Sequence, residues 1–311
     1  MDKIDKKILG ELLKNSRIPI TALSKVLKIN REVLNYRIRR LKENKIILDF
    51  TTEINYENLG YLGGAVFIQI KSEKEKEFRE FLEKLNYVSW VSQLTGIWGY
   101  GFSIIAKNKN ELQMKFSEIY KKFESDIIDH KFLMHYKNYF FYEKLFGKKP
   151  EERDLNKKII SLDKKDKIIL KELLKNSRTT TVEISKKINL TAQAISNRIK
   201  ILNKKINIKY SILVNLEKIG IYQYSIFIKN KNINQKNNLI KFLKNHKQVN
   251  FIAEYLGNEL LEFGIFVENP YLIRKYLKEI EEEFPKNRLV EISLFQQDIK
   301  SIKPPECIFE E

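Results

Sequence analysis

One cysteine and three histidines serve all 311 residues. Cys307 on its own can close no disulfide within the chain and build no thiolate metal cluster. His130 and His135 stand five apart on an expected strand, so they face opposite sides and cannot share a metal ion. His246 is remote from both in sequence. Gly99-Tyr100-Gly101 comes without the lysine of a phosphate loop, and Gly63-Gly64 reads as a bulge or close approach within a strand. The apolar runs, such as 61–70 and 101–106, are far too short to span a bilayer. The opening Met1-Asp2-Lys3-Ile4-Asp5 is not a basic and apolar secretion signal. The expectation from these shortages is a soluble cytoplasmic protein with no catalytic residues, no metal, no cofactor and no membrane partner.

Positive charge is abundant. The formal net charge is +18, and it is unevenly spread. Residues 1–52 carry +7 and residues 157–214 carry +11, whereas 53–150 carry +2 and 215–311 carry none. A uniform lysine bias would not concentrate the excess in two short blocks. Two basic blocks point to nucleic acid as partner.

The blocks are copies of one another. Between Asp2–Arg17 and Asp163–Arg178, 13 of 16 positions are identical, and ELLKNSR stands at both 11–17 and 172–178. The register continues through Arg37/Arg198, Ile38/Ile199 and Leu41/Leu202, and later through Gly60/Gly220 and Gly96/Gly257. A period of 161 is far beyond the 20–50 residues of a solenoid, so one whole protein is used twice.

Each copy opens with three short helices. Ile4, Ile8, Leu9, Leu12 and Leu13 recur at helical spacing, and Asn15-Ser16-Arg17 ends that helix. Pro19 suits the first turn of a second helix, where Thr180 can cap in the other copy. Asn30 and Thr191 are expected caps of a third helix, whose apolar stripe is Leu34, Ile38 and Leu41, or Ile195, Ile199 and Leu202. Residues 45–54 and 206–214 alternate loosely, as a small β wing would. The remainder of each copy reads β-α-β-β-α-β, a ferredoxin-like order. The expected fold class is therefore α+β: two winged helix-turn-helix modules, 1–54 and 161–214, alternating with two ferredoxin-like effector/dimerisation domains, 55–147 and 215–303, with a linker over 148–160.

The DNA-reading side of the third helix lies opposite its apolar stripe. That selects Arg31, Glu32, Asn35, Tyr36, Arg39 and Arg40 in the first copy, and Thr191, Gln193, Ser196, Asn197 and Lys200 in the second. Arg37 and Arg198 flank the stripe, within expected reach of phosphate. Arg, Asn and Gln can contact base edges bidentately in the major groove, and Lys and Arg also grip phosphates. The two faces differ: Arg31 aligns with Ala192, Glu32 with Gln193, Asn35 with Ser196, Tyr36 with Asn197 and Arg39 with Lys200.

LDKKDKIILKELLKNSR, YRIRRLKENKII, NRIKILNKKINI, LTGIWGYGFSIIA and YLGNELLEFGIFV together resemble the Lrp/AsnC (feast/famine) family of transcription regulators, over nearly the whole chain and twice. The resemblance implies a double-stranded DNA-binding regulator whose β domains pair through their sheets, here as an intramolecular pseudo-dimer. It also implies a small-molecule effector such as an amino acid, near the loop after the second strand. The positions so marked are Thr95, Gly96, Trp98 and Tyr100, with Gly257, Asn258 and Glu259. The sequence departs from the family where Lys28, Asn189 and Lys45 replace glycine, and where Gly96-Ile97-Trp98-Gly99 and Gly257-Asn258-Glu259-Leu260 lack the usual Asp. Some siroheme decarboxylases share the architecture and depend on His and Arg around a tetrapyrrole. The second β domain offers His246, Arg274 and Arg288 for that alternative. A third is an interaction scaffold without DNA contact.

Overall fold

Asp2 and Asp163 each stand in extended backbone just before a helix and accept hydrogen bonds from amides of its first turn. Such caps satisfy helix N–H groups that otherwise have no partner. They set the frame of both copies in the computed structural model, which describes residues 1–150, 159–230, 233–257, 260–301 and 304–309. The first copy runs α1 (Lys3–Lys14), α2 (Ile20–Leu27), α3 (Arg31–Glu43), β1 (Ile47–Glu53), β2 (Leu62–Ile70), α4 (Glu75–Lys84), β3 (Val88–Gly96), β4 (Tyr100–Ala106), α5 (Lys109–Lys122) and β5 (Ile127–Phe140). The second runs α6 (Lys164–Lys175), α7 (Thr181–Ser185), α8 (Ala192–Ile206), β6 (Lys209–Val214), β7 (Tyr222–Lys229), α9 (Ile233–Asn245), β8 (Val249–Tyr255), β9 (Leu260–Val267), α10 (Ile273–Glu283) and β10 (Arg288–Ser301). Of the linker expected over 148–160, residues 151–158 lie outside the described residues.

The chain forms two units: Met1–Tyr61 with Phe146–Ile219 and Ile302–Glu311, and Leu62–Leu145 with Gly220–Ser301. The first holds both three-helix modules. In one, Ile8, Leu12, Leu23, Leu34 and Ile38 are buried; in the other, Ile169, Leu173, Ile184, Ile195 and Ile199 pack together. Thr180 and Glu183 form a reciprocal capping box on α7. Lys28 and Lys45, two of the residues that replace the family's glycine, take left-handed backbone with φ of 56° and 54°.

The expected wing segments form strands, and among the described residues neither pairs within its own module. Each supplies one strand, and β1 pairs antiparallel with β6 of the other copy. Two further sets of contacts cross between the modules. Ser16 Oγ and Ser177 Oγ lie 2.6 Å apart, both fully buried. Ser16 N donates to Tyr210 O and Ser177 N to Phe50 O. Arg17 donates to the Ser177 and Thr179 carbonyls, while Arg178 Nε donates to Ser16 O at 2.7 Å. The guanidinium carbons of Arg17 and Arg178 stand over the rings of Tyr210 and Phe50, at 5.3 and 4.4 Å. The duplicated NSR segment is therefore the seam at which the two modules meet.

The second unit is a closed barrel of strand order β10-β3-β4-β2-β5-β8-β9-β7. Within it each copy keeps the ferredoxin-like order, β3-β4-β2-β5 and β8-β9-β7-β10. Antiparallel pairs β5–β8 and β10–β3 close the ring between copies. Alternation puts one face of each sheet inside, where Phe67 and Phe227, matching residues of the two copies, meet edge to face at 5.0 Å. Ala65, Leu94, Trp98, Ala253 and Tyr255 pack around them. The interior is not symmetric. The matching strand registers put Ala65, Leu94 and Gly101 of the first copy at the positions that Ser225, Tyr255 and Glu262 occupy in the second. Glu262 is buried, with Ser225 Oγ at 2.5 Å and the Tyr255 hydroxyl on its other oxygen.

Candidate DNA-binding surface

The third helix of each module is held at its start and along one side. Asn30 accepts from Glu32 N at 2.8 Å, and Thr191 from Ala194 N at 3.2 Å. Leu34, Ile38 and Leu41, and Ile195, Ile199 and Leu202, are buried. The opposite faces are thereby turned outward. Arg31, Glu32, Asn35, Tyr36 and Arg39 are exposed on α3, as are Gln193, Asn197 and Lys200 on α8, with Ser196 half-buried and Thr191 exposed at its cap.

These faces differ in chemistry as well as in identity. On α3, the Arg39 guanidinium carbon stands 5.9 Å from the Tyr36 ring centroid, and Arg39 Nε lies a loose 3.9 Å from Glu43. On α8, Gln193 Nε2 donates to Asn197 Oδ1 at 3.3 Å, one helical turn on. The first face presents cations beside an aromatic ring. The second presents paired amides, able to donate to and accept from base edges.

Arg37 and Arg198 sit elsewhere than on these faces. Arg37 Nη1 is 2.6 Å from Asp2 Oδ2 and 2.8 Å from Asp5 Oδ1, and Arg40 Nη2 is 2.8 Å from Asp5 Oδ2. Arg198 Nη1 repeats the arrangement, 2.7 Å from both Asp163 and Asp166. The Asp5 amide and then the Arg37 guanidinium hold the Asp2 carboxyl down at about 2. These arginines tie the third helix to the first. The signal was in the sequence: Asp2, Asp5 and Arg37 recur as Asp163, Asp166 and Arg198, so whatever the aspartates do is done twice. Arg17 and Arg178 are also engaged inside the unit, and burial depresses the pKa of each.

Of the residues marked for an effector, Trp98 and Tyr100 are buried. Trp98 Nε1 donates to Glu291 Oε2 at 2.9 Å, from the other copy. Thr95, Gly96 and Gly257 are exposed, and Asn258 and Glu259 lie outside the described residues. Gly96 has φ of 134°, and a Cβ there would come within 2.8 Å of the Ile292 carbonyl, so the turn admits only glycine without a shift. His246, marked for the tetrapyrrole alternative, lies 3.4 Å from Glu279 and against the Phe242 and Tyr276 rings, and Arg274 lies 3.4 Å from Glu281.

Residues 1–47 match the winged helix-turn-helix DNA-binding model, and residues 162–203 match the AsnC-type helix-turn-helix domain. An HTH-type transcriptional regulator of Pyrococcus abyssi is 36% identical over 115 residues, which are 37% of this chain and 77% of that protein. The HTH-type transcriptional regulator FL11 of Pyrococcus furiosus is 34% identical over 113 residues, 36% of this chain and 75% of FL11. The crystal structure of the siroheme decarboxylase NirDL is similar over 99% of this chain and 97% of that one, with a TM-score of 0.63 and 14% identity. At that identity the likeness is one of fold. With both helix-turn-helix modules matched and relatives covered over three quarters of their length, the chain belongs to the Lrp/AsnC family of transcription regulators, as an internal tandem duplication.

Proposed function

We propose that this chain is a sequence-specific regulator of double-stranded DNA that acts as an intramolecular pseudo-dimer, without catalysis. Its two unlike helices, α3 and α8, read two unlike half-sites. The observation that carries this reading is the seam in the first unit. The β1–β6 pair, the Ser16–Ser177 contact and the reciprocal Arg17 and Arg178 bonds make one body of both helix-turn-helix modules. A pair of reading helices held in one body is what a dimeric regulator needs to engage two half-sites at a set spacing. The strand pairs β5–β8 and β10–β3 support the same reading in the second unit.

Selection of bound duplexes from random DNA, followed by titration of a selected duplex at several salt concentrations, tests the proposal. A defined site of two different halves is expected, with log K falling by about 0.9 per phosphate contact against log salt. A slope near zero, or no enrichment, would refute it.

A further inference from the structure

The second unit carries a cleft of about 450 Å³, a volume typical of small-molecule sites. One wall is the end of β5, from the first copy; the other is α9, from the second, with Glu254 of β8 between them. The cleft exists because β5 pairs with β8 across the copies.

Four lysines line it: Lys137, Lys236, Lys241 and Lys244. Glu254, the one carboxylate among the lining residues, lies 2.9 Å from Lys236, with 7% and 8% of the two side chains exposed. That pair makes a nearly buried floor with no net charge. Three ammonium groups remain outside it. Lys244 Nζ stands 3.8 Å from the Tyr139 ring centroid and Lys137 Nζ 5.3 Å from that of Tyr136, while Lys241 is exposed.

The first copy shows that this charge is not compositional drift. Aligning the buried pair Phe78 and Leu82 of α4 with Leu239 and Leu243 of α9 puts Glu75, Glu80 and Glu83 at the positions of Lys236, Lys241 and Lys244. The same alignment puts Gln93 at Glu254. A bias toward lysine would have acted on both helices. Instead three charges on one helix face are inverted, and only in the copy whose helix borders this cleft.

The lining chemistry selects the ligand. No arginine is present among the lining residues to clamp a planar carboxylate with two parallel bonds, whereas lysines serve phosphate as mobile point charges. Tyr136 is 40% exposed, and Asn237 adds an amide beside it. We propose that the cleft binds a nucleotide, with its phosphates on Lys137, Lys241 and Lys244 and its base against Tyr136. The site does not depend on the DNA reading, and every arm of its test but the last runs without DNA.

Isothermal titration of the full chain with ADP decides the matter, with adenosine, inorganic phosphate and citrate as separate titrants. One ADP per chain is expected, with adenosine and phosphate each far weaker and citrate weaker still. The double substitution K241E/K244E, which installs the first copy's charges, should weaken ADP at least about tenfold, because charge-assisted hydrogen bonds are lost. K241Q/K244Q should do so too, and serves if the glutamate variant fails to fold by circular dichroism. E80K/E83K in the first copy should leave ADP binding unchanged. Absence of ADP binding, equal binding by wild type and both lysine variants, or citrate tighter than ADP would each overturn the proposal. Stoichiometric displacement of ADP by a short duplex would overturn it as well, by assigning the cleft to the DNA backbone.

Discussion

Glu262 illustrates how a single residue can govern stability. Burial raises its carboxyl to about 7, against the opposing effect of the Ser225 and Tyr255 hydroxyls; Glu291 raises it further and Lys131 lowers it. Below pH 4.5 the carboxyl is protonated whether the chain is folded or not. Between about 4.5 and 7 only the unfolded chain ionises, so folding weakens as pH rises, and above 7 the loss is complete. The full loss is about 3 kcal/mol. E262Q keeps the shape and cannot ionise. Its unfolding free energy, measured by denaturant titration, should match wild type near pH 4.5 and exceed it by roughly that amount at pH 8. The seam serines make a second residue-scale prediction. S16A alone leaves the buried Ser177 hydroxyl without its partner, at a cost of about 1–3 kcal/mol. S16A/S177A should cost less than the sum of the two single variants, and a strictly additive cycle would show that the hydroxyls do not interact. The sequence marks NSR as a helix stop. It does not reveal that its serines touch, because the contact joins positions 161 apart.

Among the elements, helices and strands were legible because periods of 3.6 and 2 are local properties of a chain. The β-α-β-β order expected after the wing is met by β2, α4, β3 and β4, with α4 at Glu75–Lys84 and β3 at Val88–Gly96. The caps Asn30, Thr180 and Thr191 were legible for the same reason. The partner of β1 was not, since β propensity says that a segment is extended and not what it pairs with. Its partner lies in the other copy, and while the outward face of α3 could be read directly, the aspartates that hold Arg37, more than 30 residues away, showed in the sequence only as a recurrence and not as its partners. Two turns in which lysine replaces the family's glycine carry backbone strain. Lys28 and Lys45 are exposed, with φ of 56° and 54°. A side chain in the left-handed region costs about 1–2 kcal/mol, partly offset by the greater freedom glycine has when unfolded. K28G and K45G should each raise stability by roughly 0.5–1 kcal/mol. A fall in the melting temperature of either would show that its backbone is not strained.

For the molecule as a whole, the duplication places one scaffold under two different surfaces. The copies share caps, ion pairs and core stripes, yet differ on the reading helices, in the barrel interior and along α4 and α9. If α3 and α8 read different half-sites, A192R/Q193E/S196N/N197Y/K200R makes the second helix a copy of the first. The sites selected by that variant should move toward a palindrome. Each lost bidentate contact changes base preference by about 1–3 kcal/mol, tenfold or more, so the shift is readily counted by sequencing. Unchanged sites would show that these residues do not read bases. The β1–β6 pair has a further consequence in the cell's arithmetic. Where a reading pair assembles from separate chains, its amount at low abundance follows the square of chain number, and assembly fails on dilution. Here both strands belong to one polypeptide and remain neighbours at any dilution. On the proposed pseudo-dimer reading, occupancy of a site follows the first power of chain number, so that halving the gene dose would halve the response instead of quartering it.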